Sequence, residues 1–137
     1  MSHFLRPLLK LGGADRALVN ERTGSMVAQT VEVAVDSRSR RRGLLGRTGL
    51  PERHAFVIAP CSAVHTWFMR FPIDVLFVAR DGRVVKIVNR IGAWRMTASL
   101  GAFAAIELPA GTLQRGGWTR GDRVIVRSAS KETTAST

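Results

Sequence analysis

The chain has one cysteine, Cys61, which excludes an internal disulfide and points to a reducing compartment. It also lacks any long hydrophobic run. In the first stretch, MSHFLRPLLKLGGADR, the apolar residues are broken by Arg6, Pro7 and Lys10. Neither a signal-peptide core nor a membrane span is read there, and a cytoplasmic protein is expected. Acidic residues are scarce: 10 Asp and Glu stand against 21 Lys and Arg, for a formal net charge of +11. Nearly all of the cations are arginine, which pairs bidentately with carboxylates and phosphates, so anionic partners suit this chain. A GC-rich genome would produce the same bias without a functional cause. No glycine-rich phosphate cradle, nucleotide fingerprint, Cys-x-x-Cys pair or His-x-His pair occurs, and Gly12-Gly13 and Gly116-Gly117 read as turn glycines. These absences exclude the common nucleotide-dependent and structural-zinc classes, and no cofactor is predicted.

What is present fits one domain of ordinary composition, since 137 residues support a single core. Residues 1–16 read as a flexible arm, 17–127 as a single β domain and 128–137, with the polar run SASKETTAST, as a disordered tail. Val27–Asp36 alternates like a strand, with Val27, Gln29, Val31, Val33 and Val35 on one side. Asp36 is a suitable N-cap for a short helix through SRSRRRGLL that stops near Gly46. Ala55–Ala59 is a short apolar strand. Ile73–Arg80 and Arg83–Arg90 flank Asp81-Gly82, which predicts a hairpin with a two-residue turn. The implied register sets Val78 opposite Val85, Leu76 opposite Ile87 and Asp74 opposite Asn89, with both strands central in a sheet. Phe103–Leu108 and Arg123–Arg127 read as further strands. Short strands, Gly/Pro turns and little helix predict an all-β fold, a small barrel or sandwich with one short helix on one side.

Three stretches in order, RRRGLLGR at 40–47, VHTWFMRFPIDVLFVARDGRVV at 64–85 and AIELPAGTLQRGGWTRGD at 105–122, carry a family resemblance. The chain resembles the bacterial and archaeal family catalogued as domain of unknown function 192, over roughly residues 27–127. The resemblance implies a compact β-barrel-like or sandwich domain and supplies no activity. Its motif positions fall on Gly43, Leu44, Gly46 and Arg47, on His65, Thr66, Met69, Pro72, Asp74 and Gly82, and on Glu107, Gly111, Gly121 and Asp122.

Candidate chemistry gathers around Cys61–Asp74. Cys61, His65 and Asp74 could act as nucleophile, base and orienting acid, and His65, Asp74, Glu107 and Cys61 could form a mixed metal site. Together these give a metal- or thiol-dependent hydrolase as one alternative. Against them, a lone cysteine is commonly a small buried hydrophobe, and His65 with Thr66 can simply satisfy backbone groups at the hairpin entry. Asp74 and Glu107 are acids within apolar strands, so each needs a partner. The bland expectation is a salt bridge to Arg70, Arg47 or Arg95. The functional expectation is a polar ligand cleft formed by His65, Thr66, Arg70, Asp74 and Glu107 and rimmed by Trp67 and Trp94, although a tryptophan in TWFM is commonly core. No catalytic residue and no metal ligand is assigned, and a binding or accessory module is expected rather than an enzyme. Arg38, Arg40, Arg41, Arg42, Arg47 and Arg53 form a basic stretch that could instead hold nucleic-acid phosphates without reading bases.

Overall fold

A computed structural model describes residues 3–7 and 16–128; the tail predicted at 128–137 lies outside the described residues but for Ser128. Ten strands among the described residues form three sheets. A five-stranded sheet is the centre, in the order β3 (Thr30–Ala34), β4 (His54–Ile58), β9 (Ala104–Pro109), β6 (Ile73–Val78), β7 (Val84–Ile91). A three-stranded sheet, β10 (Val124–Ser128), β1 (Arg16–Asn20), β2 (Met26–Ala28), packs on one side of it. A two-stranded ribbon, β5 (Ala63–His65) and β8 (Met96–Ala98), lies on the other. The fold is β-rich and sandwich-like, with no closed barrel.

Alternation sorts the central sheet into two cores. Val31, Val57, Leu76, Val78, Ile106 and Leu108 face the three-stranded sheet, where Leu18, Val27 and Val124 meet them. Ala34, Phe56, Ile58, Ile73, Val75, Phe77 and Ala105 face Leu44, Val64 and Met69. Because both faces are covered, β6 and β9 are apolar on consecutive residues rather than on alternate ones.

The segment expected to be one strand at 27–36 is two, β2 and β3, broken at Gln29. At the break, the N–H groups of Gln29 and Thr30 both donate to the Arg53 carbonyl, and Val35 leaves the sheet into solvent. β3 and β4 run parallel, joined by helix α1 (Ser37–Arg42). Asp36 caps α1 as the sequence predicts, accepting from the Ser39 N–H at 2.8 Å. The helix ends earlier than Gly46, because Gly43 turns left-handed and Leu44 drops into the core.

The hairpin β6–β7 forms, with a different turn. The Gly82 N–H donates to Ala79 O at 3.0 Å and the Ala79 N–H to Arg83 O at 2.9 Å, and of Asp81 and Gly82 only Gly82 has positive φ, +88°. This is a three-residue loop with a bulge at glycine, not a two-residue turn. The bulge shifts the register beside it, so Val78 faces Val84 rather than Val85. Leu76 faces Ile87 as predicted. A second irregularity follows at Asp74, with Arg90 in a left-handed conformation at φ +50°. Only β6 is central; β7 is the sheet edge.

The sequence shows no clear signal for β1, β5, β8 or helix α2 (Thr112–Arg115). Within the stretch expected to be an arm, residues 3–7 pack on the domain. Leu5 is wholly buried, the Phe4 N–H donates to Arg80 O at 2.8 Å, and the His3 ring lies 5.1 Å from that of Phe103.

Candidate functional site

Opposite residues on neighbouring strands share a face, so the register decides which acids can meet. Glu32 lies opposite Phe56, Phe56 opposite Glu107 and Glu107 opposite Val75. These four form one row across the sheet, on the side of α1 and β5. Asp74 lies opposite Leu108 and therefore points to the other face. Asp74 and Glu107 are separated by the sheet itself, and the single cleft expected to hold both does not exist.

Asp74 is structural. Its Oδ1 accepts from the Arg90 N–H at 2.7 Å and its Oδ2 from the Leu113 N–H at 3.0 Å. The carboxylate thus fixes the bulge of β7 and holds the first turn of α2 with backbone donors. No arginine side chain takes part, contrary to the salt bridge expected from the sequence. Thr66 is structural too: its Oγ1 donates to Gly92 O and accepts the Arg95 N–H at 3.0 Å, tying β5 to the start of β8.

The expected partner of Glu107 is also engaged elsewhere. Arg47 makes two bonds to Glu32, at 2.6 and 3.2 Å, and its guanidinium lies 5.3 Å from the centre of the Phe56 ring. It therefore sits within the same row but closes on the more exposed acid. Glu107 is 2% exposed and has no hydrogen bond or ion pair among the described residues. Burial pushes its carboxyl up to about 8, opposed by the nearby Arg47 charge. At neutral pH it is mostly the neutral acid, able to donate and to accept.

Glu107 faces a cleft of about 610 Å³ between α1 and the β5 segment. Leu44, Ile58, Val64 and Met69 give it apolar walls; Arg40, Arg41 and Arg42 stand on the helix side and Cys61, Ser62 and His65 opposite. Arg40 reaches across, donating to Pro60 O at 3.2 Å. The Cys61 thiol donates to Ala63 O at 3.1 Å, and burial pushes its pKa up, which disfavours the thiolate that nucleophilic attack needs. No group of three or more His, Cys, Asp or Glu among the described residues is arranged to hold a metal ion.

Of the residues expected to line a ligand site, His65 and Glu107 meet in this cleft, while Thr66, Trp67, Arg70, Asp74 and Trp94 are not in its lining. Trp67 and Trp94 are exposed, the first tilted against His65 and the second edge-on to Phe68, so neither is core. The basic stretch also divides. Arg40, Arg41 and Arg42 border the cleft, Arg47 is paired, and Arg53 lines a separate hollow of about 220 Å³ beside Thr112 and Arg115.

A third buried acid was visible only as a motif position. Asp122 accepts from Asn20, from the Arg22 side chain at 2.7 Å and from Thr119, which holds its carboxyl far below the usual range. It locks the β1–β2 turn to the loop before β10, away from the cleft.

Residues 18–126 match the sequence model of domain of unknown function 192, described as an uncharacterized ACR. No curated protein matches the chain. A crystal structure of a protein of unknown function from Novosphingobium aromaticivorans is similar at TM-score 0.70 and 23% identity, covering 79% of this chain and 82% of that one. A crystal structure of a candidate transcription regulator from Sinorhizobium meliloti is similar at TM-score 0.70 and 27% identity, covering 83% and 92%.

Proposed function

We propose that this chain, which belongs to the family of domain of unknown function 192, is a binding module for a small amphipathic anion held in the α1–β5 cleft. The observation that carries this reading is Glu107. Its carboxyl has no protein partner among the described residues and opens only to the cleft, where a ligand group would bond it in place of water. The neutral acid donates a hydrogen bond to an anionic oxygen, and Arg40, Arg41 and Arg42 supply the countercharge at the rim. The apolar walls suit a short hydrocarbon body, which makes short-chain carboxylates the first ligand class. Cys61 and His65 belong to the lining in this reading and carry out no reaction. A cytoplasmic location accompanies it, in keeping with a single cysteine. Among the described residues no helix is long and apolar enough to cross a membrane.

Calorimetric titration with straight-chain carboxylates of about four to eight carbons at pH 6 tests the proposal. Binding is expected to weaken as pH rises through about 8, where Glu107 ionises and repels the anion. Glu107→Gln should keep binding and lose that pH step, and Glu107→Leu should lose binding. Wild-type affinity unchanged as pH rises through about 8 and kept in Glu107→Leu would remove the cleft from consideration.

A second reading is nucleic-acid binding, favoured by the Sinorhizobium neighbour's description and by the exposed Arg38, Arg41 and Arg42 on α1. Here the arginines would hold phosphates. Against it, α1 has only six residues, and Arg47 and Arg53 do not extend the patch. Duplex DNA retention that falls steeply with salt and with Arg41→Ser/Arg42→Ser would favour this reading over the first.

A further inference from the structure

On the outer side of the β5–β8 ribbon, apolar side chains stand in water. Leu100 is 98% exposed at the tip of the turn from Ser99 to Ala102, Phe68 69% and Trp94 61%, and Trp67 and Met96 are exposed beside them. All but Leu100 are linked: the Phe68 and Trp94 rings meet edge-on at 4.7 Å, Trp67 lies tilted against His65 at 4.8 Å, and His65 pairs across the ribbon with Met96. Leu100 lies four residues beyond Met96, about 13 Å along an extended chain. Trp67, Phe68, Trp94 and Leu100 project from turns, and Met96 from the start of β8.

Two of them are held out against backbone preference. Phe68 and Trp94 have φ of +64° and +61°, a region that bulky residues rarely occupy. Phe68 is the third residue of a turn closed by the Met69 N–H to Thr66 O, where glycine or asparagine is favoured. A strained conformation that buries nothing but presents a ring to solvent calls for an occupant.

Charge selects the occupant. Residues 61–71 and 89–102, which carry the whole patch, contain no acid; Arg70, Arg90 and Arg95 are exposed within them. A second copy of this chain, also at +11, is repelled. Stacked bases would use Phe68 and Trp94 and leave Leu100 and Met96 idle. Projecting aromatic, leucine and methionine tips with flanking arginines match the boundary between lipid headgroups and acyl chains. We propose that this face docks on an anionic phospholipid surface, with Leu100, Phe68 and Trp94 inserting and Arg70, Arg90 and Arg95 holding headgroup phosphates. This docking does not depend on what fills the cleft.

Sedimentation of the full chain with vesicles tests it, using phosphatidylcholine alone or mixed with phosphatidylglycerol. Binding to the mixed vesicles only is expected, with a blue shift of tryptophan emission from Trp67 and Trp94. Phe68→Asn/Leu100→Ser should weaken it more than tenfold, while retaining the wild-type thermal transition, because asparagine accepts the left-handed backbone. Arg70→Ser/Arg95→Ser should weaken it about 30-fold, about fivefold per arginine. Three results would each overturn the proposal: no binding to anionic vesicles at low salt, binding undiminished in Phe68→Asn/Leu100→Ser, or an oligothymidylate strand that displaces the vesicles and itself depends on Phe68.

Discussion

The buried acids Asp74, Glu107 and Asp122 show how differently acidic side chains are used. Asp74 spends both oxygens on backbone N–H groups, so replacing it leaves a buried donor at Leu113 and a part-buried one at Arg90 unmet. Asp74→Ala should cost about 2–4 kcal/mol in denaturant unfolding, and Asp74→Asn, which keeps one acceptor, about half of that. A cost below about 0.5 kcal/mol would contradict the structural role. Glu107 behaves in the opposite sense. Its folded pKa of about 8 stands above the ordinary value of 4.5, so the native state binds its proton more tightly than the unfolded chain does. Its contribution to stability is fully present below about pH 4.5 and is lost as pH rises through about 8. The Tm of Glu107→Gln should therefore be flatter than wild type between pH 5 and pH 9. Asp122, depressed by Arg22, has the reverse sign: its stabilisation holds at neutral pH and is lost on acidification. Its place among the family-motif positions did not reveal these partners, because Asn20 and Arg22 lie about a hundred residues away.

At the scale of elements, the β6–β7 hairpin was legible in its strands and in the Leu76–Ile87 pair, and misread at both ends. An Asp-Gly step satisfies two loop types, and choosing between them depends on how the ends of the hairpin are packed. Here Val124 O and Phe4 crowd Gly82, and the Val124 N–H donates to Gly82 O at 2.8 Å. A side chain at position 82 would collide with the Val124 carbonyl and also strain φ. Gly82→Ala should lower stability by about 2–4 kcal/mol, more than an ordinary turn glycine at about 1 kcal/mol. Gly82→Ala unfolding at the wild-type denaturant midpoint would remove this contact from the account of the turn. The cap of α1 was legible because it is local: Asp36 and Ser39 are three residues apart. β5 and β8 were not, since each three-residue strand exists only by pairing with the other across some thirty residues.

For the whole molecule, the decisive feature is that the central sheet is covered on both faces. The two cores put Asp74 in one and Glu107 in the other, and the α1–β5 cleft opens on the second face. The extent of the domain also belongs to this scale. Leu5 is wholly buried in the first core, against the hairpin side where Phe4 meets Gly82. Leu5→Ala should destabilise the full chain by about 2–5 kcal/mol, whereas a residue of a free arm would change stability by nothing measurable. The +11 charge, by contrast, carries no information about the fold and acts on partners alone.

By itself the sequence determined what short-range chemistry and alternation determine: family membership, a β-rich class, the Asp36 cap, the position of the hairpin, and that buried acids would need partners. The tertiary structure decided which partners. Side chains alternate sides with a period of two, so which face Glu107 shares with Glu32, and which face Asp74 shares with Leu108, follows from strand pairings between distant segments. The lone unpaired carboxyl in the cleft and the projecting rings of Phe68 and Trp94 are products of that pairing, because one depends on cross-strand register and the other on two left-handed turns that bulky residues do not announce.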